Sequence, residues 1–350
     1  MSRFLSARFG GLEPYTPGEQ PRDRKYVKLN TNENPFPPSE LAVEEAGKVL
    51  ERLHLYSDPE CTLLVQAGAE YYGVSKDEIL FSNGSDEILN FAFMAFCDER
   101  HPAAFPDITY GFYPVYAQLN HISYTQIALE KDFSINIDNY KGRKETIFIA
   151  NPNAPTGITL SVSQIEEIVS DNPNNVVVID EAYVDFGAES VVPLIRKYDN
   201  LLVIQTFSKS RSMAGARLGL AIGNSALISD LKMIKYSINP YNVNSITMAA
   251  GVGALKDDRY MKDNSRIIQE NREYTVQELK KLGFSMTDSL ANFIFVTHPG
   301  LSGEDLYLKL KEKGVLIRHF TNKRICEYNR ITIGTRQQMD ILLVKFREIL

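Results

Sequence analysis

Short, unbroken apolar runs punctuate the chain: Ile79-Leu80-Phe81, Thr146-Ile147-Phe148-Ile149-Ala150, Val176-Val177-Val178-Ile179, Leu201-Leu202-Val203-Ile204 and Leu218-Gly219-Leu220-Ala221-Ile222. Runs of this length without polar alternation are the pattern of strands buried on both faces. Between them the apolar positions recur at helical spacing. Ser161 and Gln164 form a capping box ahead of Ile165, Ile168 and Val169, which sets a helix start there. Helices are also predicted from Ser39, with Leu41, Val43, Ala46, Val49 and Leu50 as the apolar side, over 60–72 with a stop at Gly73, and over 88–96. From 122 to 206 strand and helix alternate, so the expected architecture is α/β: a mainly parallel sheet covered by helices on both faces.

Beyond the last buried run, helices are predicted at 225–237, 243–255 and 258–282. A smaller α+β unit follows: strand Ala291 to Thr297, helix Ser302 to Lys313 stopped by Gly314, strands Val315 to Arg318 and Arg330 to Ile333, and helix Gln337 to Leu350. The opening stretch is polar, with Pro14, Pro17 and Pro21, and reads as an arm. The expected division is an arm over 1–30 joining the small domain, a large domain over 31–255 and a small domain over 256–350. At 350 residues the chain exceeds one typical core, in keeping with two domains.

Charge and composition narrow the function classes. A net charge of −6 carries no signature of a nucleic-acid surface. Cys61, Cys97 and Cys326 are scattered, and the five histidines follow no ligand spacing, so no metal site is expected. No run of 18 apolar residues occurs, which predicts no membrane span. Together with the free-cysteine pattern this points to a cytoplasmic protein.

Ligands of open parallel sheets sit beyond the carboxyl ends of the strands, and Asn153, Asp180 and Lys209 each follow such an end. Ser82-Asn83-Gly84-Ser85-Asp86-Glu87 joins a strand to a helix. Its unpaired N–H groups form a ready anion site, although a plain helix cap with acids in the first turn fits the same residues. Tyr110 lies in a bend between Pro106 and Gly111, either packed in the core or set against a planar ligand. The stretch from Gln205 to Gly219 places Lys209 beside Ser208, with Arg217 eight residues on. A pyridoxal-phosphate site needs a lysine for the aldehyde, a carboxylate for the ring nitrogen, a donor to the ring hydroxyl, a stacking surface and phosphate donors. All five types are present.

Five stretches, Leu29-Asn30-x-Asn32-Glu33-Asn34-Pro35, Gly84-Ser85-Asp86-Glu87, Asn151-Pro152-Asn153-Ala154-Pro155-Thr156-Gly157, Asp180-Glu181-Ala182-Tyr183 and Ser208-Lys209 through Ala214-Gly215-x-Arg217-x-Gly219, occur in the order and strand context of fold type I pyridoxal-phosphate aminotransferases. Within that group the chain most resembles the histidinol-phosphate aminotransferases, over nearly its whole length. The resemblance implies that Lys209 holds pyridoxal 5'-phosphate as a Schiff base, Asp180 pairs with the ring nitrogen and Tyr183 bonds the ring hydroxyl. It implies Tyr110 as the stacking surface, and Gly84, Ser85, Asp86, Thr206, Ser208 and Arg217 around the phosphate. It sends Tyr56 into the phosphate site of a second copy, hence a homodimer with shared sites. It assigns Tyr15, Asn34, Arg318 and Arg330 to the substrate, an amino donor or a 2-oxo acid acceptor. The reaction it implies is transfer between L-histidinol phosphate and 2-oxoglutarate. An aromatic or other amino-acid aminotransferase, a decarboxylase of a phosphorylated amino acid, and a cofactor-binding regulator are the alternatives. The chain departs from the family at Ala154, where relatives carry an asparagine that bonds the ring hydroxyl. Asn153 is the expected substitute, with Tyr183 and water as the other option.

Overall fold

A computed structural model describes residues 2–350; Met1, the first residue of the arm, lies outside them. The arm carries β1 (Val27–Lys28) and leads to α1 (Glu40–Gly47) and α2 (Thr62–Tyr72). β2 (Ile79–Ser82) runs into α3 (Ser85–Phe96), and β3 (Ala103–Pro106) into α4 (Phe112–Leu119) and β4 (Tyr124–Ile127). β5 (Thr146–Ala150), α5 (Val162–Ser170), β6 (Val177–Asp180), β7 (Leu201–Thr206) and β8 (Gly219–Gly223) follow. After α6 (Ser225–Ile238) and α7 (Ser245–Lys256), the long α8 (Asp258–Lys281) leads to β9 (Ser285–Met286) and β10 (Phe293–Thr297). α9 (Gly303–Glu312), β11 (Val315–Leu316), β12 (Arg318–His319), β13 (Asn329–Thr332) and α10 (Arg336–Ile349) end the chain.

Seven strands form the large sheet in the order β2-β8-β7-β6-β5-β3-β4. All pairs are parallel except those of β8, which runs antiparallel to both β7 and β2. The reversal follows from the connection. Residues 207–218 contain no crossover helix, and without one the chain returns antiparallel. One apolar layer lies on each side of this sheet, built on Ile147, Ile149 and Ile179 on one face and Phe148, Val178 and Leu202 on the other. That split is the period-two consequence of strands buried on both sides.

The small sheet has the order β12-β13-β10-β9, all antiparallel. β1 pairs in parallel with β11, stitching the arm to the C-terminal part of the chain. The strand expected over 315–318 therefore splits at Ile317: its first half faces the arm and its second half faces β13. A third apolar cluster, including Phe293, Ile331, Leu342 and Phe346, fills the space beneath this sheet.

Two expectations need correcting. Pro106, expected to open a bend, instead ends a fully buried strand, Ala103–Pro106. Its alanines lack the branched signature of strands and are buried because β4 and β5 flank them. The proposed apolar side of α1 is also largely wrong. Ala42 is its one fully buried residue, while Val43 and, just beyond the helix, Leu50 are 59% and 53% exposed.

Candidate active site

The carboxyl ends of β5, β6 and β7 converge on one pocket, lined among others by Ala154, Asp180, Tyr183, Thr206, Ser208 and Lys209. Asp180 is the last residue of β6 and is buried. Its carboxylate accepts a hydrogen bond from Tyr113 Oη at 3.1 Å and from the Ala182 N–H at 3.2 Å. Burial, with repulsion from Asp86, pushes its pKa up to about 7. Such a carboxylate retains lone pairs for another donor, and a cationic one would offset the cost of burying its charge. Lys209 Nζ lies 5.6 Å from the centroid of the Tyr183 ring, on the same pocket wall.

The opposite end of the pocket is built for an anion. α3 begins at Ser85 with no side-chain cap on its first turn, so its amino end offers N–H groups and the positive end of the dipole. Glu87 accepts instead from the Asn83 N–H at 2.8 Å and from Asn242 Nδ2 at 2.5 Å, which holds its charge away from the turn's mouth. Gly84 has φ +88°, and a Cβ there would sit 2.7 Å from Arg217 Nη2. At Gly219 a Cβ would meet the Ser85 nitrogen at 2.2 Å. Both glycines thus permit a close approach that any side chain would block. Arg217, itself left-handed with φ 55°, donates to Asp86 Oδ2 at 2.7 Å. Tyr110 Oη donates to Asp86 Oδ1 at 2.6 Å. Thr206 Oγ1 accepts the Ser208 N–H at 3.1 Å and lies 3.0 Å from Ser208 Oγ.

Between these two ends the structure departs from expectation at two asparagines. Asn153 is buried, but its amide donates to the Ile108 carbonyl at 3.0 Å and to Thr156 Oγ1 at 3.1 Å, and its oxygen accepts from Thr109 Oγ1 at 2.7 Å. The side chain is committed to the loop, and Ala154 lines the pocket in its place. Asn34, expected against substrate, donates to the carbonyls of Lys209 and Ser210 at 2.9 and 3.2 Å and so holds the lysine loop from outside. The asparagine that reaches the site is Asn32. Its Nδ2 donates to Tyr183 Oη at 3.0 Å, and its backbone sits at φ 56°, a conformation asparagine tolerates. The Asn-rich motif held this signal, but spacing alone does not say which asparagine points inward.

A second cavity of about 400 Å³ adjoins the first and shares Tyr110, Ala154, Tyr183 and Lys209 with it. Arg318 and Arg330 lie on its wall and are direct cross-strand partners. Their hydrogen bonds run to backbone carbonyls, not to carboxylates: Arg318 to Thr16 and Pro17 at 3.3 Å, Arg330 to Asn30 at 3.1 Å. Arg330 Nε is buried with no partner. Burial, reinforced by Arg318, works against the Arg330 charge and lowers its pKa. Like charges placed directly opposite destabilise a sheet, unless an anion lies between them. Tyr15 lines the same cavity, stacked on Phe112 at 4.1 Å with its ring 6.5 Å from that of Tyr110. Tyr56 lies elsewhere, 84% exposed and stacked on Tyr241 at 4.7 Å.

One buried group escaped the sequence reading. Glu181, next to Asp180 but on the other side of the strand, accepts from Ser190 Oγ at 2.6 Å, the Val191 N–H at 2.7 Å and Gln205 Nε2 at 2.8 Å. Gln205 Oε1 accepts in turn from Tyr72 Oη at 2.7 Å. This network ties the ends of β6 and β7 to α2, and so fixes Asp180 relative to the loop carrying Lys209.

The pocket fits pyridoxal phosphate on its own terms. A buried carboxylate lacking a cation, an uncapped helix start cradled by two glycines, and a lysine between them match the ring nitrogen, phosphate and aldehyde. The sequence matches the aminotransferase class I and II family over residues 24–346. It is 51% identical to the histidinol-phosphate aminotransferase of Brachyspira hyodysenteriae, covering 100% of this chain and 99% of that one. It is 46% identical to the corresponding enzyme of Clostridium botulinum, again over 100% and 99%. In fold it resembles the crystal structure of histidinol-phosphate aminotransferase from Sinorhizobium meliloti in complex with pyridoxal-5'-phosphate, with a TM-score of 0.90, 21% identity and 100% and 99% coverage. The chain therefore belongs to the class I and II aminotransferases, pyridoxal-phosphate enzymes of fold type I, and within them to the histidinol-phosphate aminotransferases.

Proposed function

We propose that this chain moves the amino group of L-histidinol phosphate to 2-oxoglutarate, giving imidazole acetol phosphate and glutamate. The observation that carries the reading is the Arg318–Arg330 pair, with no carboxylate among the described residues at ion-pair distance, on the wall of the cavity that also contains Lys209. The two substrates share an amino- or oxo-bearing carbon and an anionic tail, a phosphate in one and a carboxylate in the other. Arginine forks suit both by donating parallel charge-assisted bonds.

When bound, pyridoxal phosphate supplies an electron sink for the substrate Cα and a carrier for the nitrogen. The chain's own residues do the rest. Lys209 Nζ would take the proton from the Cα of the amino donor and, in the second half-reaction, deliver a proton to the Cα of the acceptor. Asp180 would pair with the ring nitrogen and keep it protonated. Tyr183, oriented by Asn32, would bond the ring hydroxyl. Tyr110 would stack on the ring. Ser85, Asp86, Thr206, Ser208 and Arg217 would hold the phosphate, the first two through backbone N–H groups.

The working unit in this reading is a homodimer in the cytoplasm. Leu53, Leu55, Tyr56 and Leu63 are each more than half exposed on neighbouring segments. A second copy covering this patch would bury them and bring Tyr56 toward its own phosphate site. No helix among the described residues is long and apolar enough to cross a membrane.

The test is a half-reaction screen of candidate donors, following the spectrum of the protein-bound cofactor. L-Histidinol phosphate is expected to react fastest. Arg330→Gln should raise KM for both it and 2-oxoglutarate by roughly thirty- to a hundredfold, the equivalent of about 2–3 kcal/mol for a lost charge-assisted bond. Faster reaction with phenylalanine or tyrosine, or release of carbon dioxide, would overturn the assignment.

A further inference from the structure

We infer that Arg324 and Asp107 form an interdomain clasp that positions the two anion-binding arginines over Lys209. The inference rests on the reading of Arg318 and Arg330 given above. Residues 320–328 join β12 to β13, so this loop connects the strand that carries Arg318 to the strand that carries Arg330. Arg324, in the loop, reaches across to the large sheet. Its Nη1 pairs with Asp107 Oδ2, just past β3. Its Nη2 donates to the carbonyls of Leu129 and Glu130 at 2.9 and 3.3 Å, just past β4. Asp107 is itself held in place: its N–H donates to the Ile127 carbonyl at 2.9 Å, and its Oδ1 accepts the Leu129 N–H at 3.0 Å.

An apolar contact backs the polar one. Ile108, Leu129 and Phe133 from the large domain meet Phe295 and Ile325 from the small one. The Phe133 ring lies 5.9 Å from Phe295 and 5.2 Å from Tyr328. The clasp thus sits on the rim of the substrate cavity, which Asp107 and Ile325 line and Arg324 does not. An isolated surface ion pair is worth little. Here one planar guanidinium grips a carboxylate and two carbonyls across a domain boundary, a geometry lysine cannot reproduce. Releasing it frees the hairpin bearing both anion ligands to shift relative to the reacting lysine, and small misplacements of binding groups are costly.

The experiment compares Arg324→Gln, Asp107→Asn and their double variant in the holoenzyme. Readouts are KM and kcat for each substrate, and cofactor affinity by fluorescence titration. Each single variant should raise KM for both substrates by roughly three- to tenfold with unchanged cofactor affinity. The double variant should be no worse than the worse single, the mark of a coupled pair. Additive effects would overturn the clasp. So would a lowered melting temperature without a KM change, or a rise confined to the amino donor, which would make Asp107 a direct contact for the donor side chain. Arg330→Gln separates the two readings. If it raises KM while Arg324→Gln is silent, the clasp alone falls. If it leaves KM unchanged, the anion reading falls and takes the clasp's purpose with it.

Discussion

Replacing Asp180 with asparagine isolates the cost of burying a carboxylate at the end of β6. Burial raises the Asp180 pKa from 3.8 to about 7. At about 1.4 kcal/mol for each pH unit, that gap amounts to ~4 kcal/mol against the ionised form. The sign follows from linkage. Between pH ~4 and ~7 the folded cofactor-free chain keeps a proton on Asp180 that the unfolded chain has released, so folding stability falls as pH rises across that window. Below it both states are protonated, and above it both are ionised. Other groups add their own slopes; the similarly raised Glu181 is one. They are common to both proteins and cancel in the difference. The stability of cofactor-free wild type relative to Asp180→Asn should therefore fall by about 4 kcal/mol between those limits and stay flat above them. Urea denaturation at a series of pH values measures it. Added pyridoxal phosphate should flatten the wild-type slope, because a cationic ring nitrogen against Asp180 favours its ionised form. In the variant the amide cannot play that part, and the half-reaction rate should drop on the order of a hundred- to a thousandfold, as when a preorganised electrostatic partner is lost. A stability difference independent of pH, or a slope that the cofactor leaves untouched, would refute this account of Asp180.

Two further outcomes are open to simple tests. Gly219→Ala forces a methyl to within 2.2 Å of the Ser85 nitrogen; it should destabilise the fold by about 1–3 kcal/mol and weaken cofactor binding sharply, read by thermal melting and cofactor titration, and an unaffected holoenzyme would contradict the close approach. Mixing Tyr56→Ala subunits with Lys209→Ala subunits should restore activity to a minority of sites if Tyr56 acts across a dimer, whereas mixtures no more active than the separate variants would place Tyr56 outside the partner subunit's phosphate site.

Much of this architecture is legible along the chain because fully buried strands leave little choice of residue. Ile147, Phe148 and Ile149, or Val177 and Val178, must be apolar on both faces, and the capping residues Ser161 and Gln164 do locally what their chemistry dictates. Direction is less legible. Nothing in Leu220-Ala221-Ile222 says that β8 runs against its neighbours; that follows from the missing crossover before it. Exposure misled at α1, where Val43 and Leu50 have the right spacing for a core but face outward, an arrangement a single chain does not account for. At the site, residues tied to strand ends came together, since the sheet delivers Asp180 and Lys209 to the same rim. The asparagines did not follow expectation because the carbonyls that hold them, those of Ile108 for Asn153 and Lys209 for Asn34, come from other segments. Glu181 and Gln205 were missed for the same reason: a buried polar network has no periodicity to find.

The register that pairs Thr206 with Gly219 closes residues 207–218 into a pinned loop. That loop carries Ser208, Lys209 and Arg217, so the residues proposed to hold the aldehyde and to help hold the phosphate travel as one unit. The arginines proposed to grip the tail of the substrate belong to a different strand pair, β12 and β13, and a different connection. An engineer wishing to change which acid or phosphate the enzyme accepts can therefore vary the side chains of residues 320–328 other than the clasp residue Arg324, leaving the lysine loop untouched. An insertion inside 207–218 offers no such freedom, since it would displace the lysine from the phosphate it depends on.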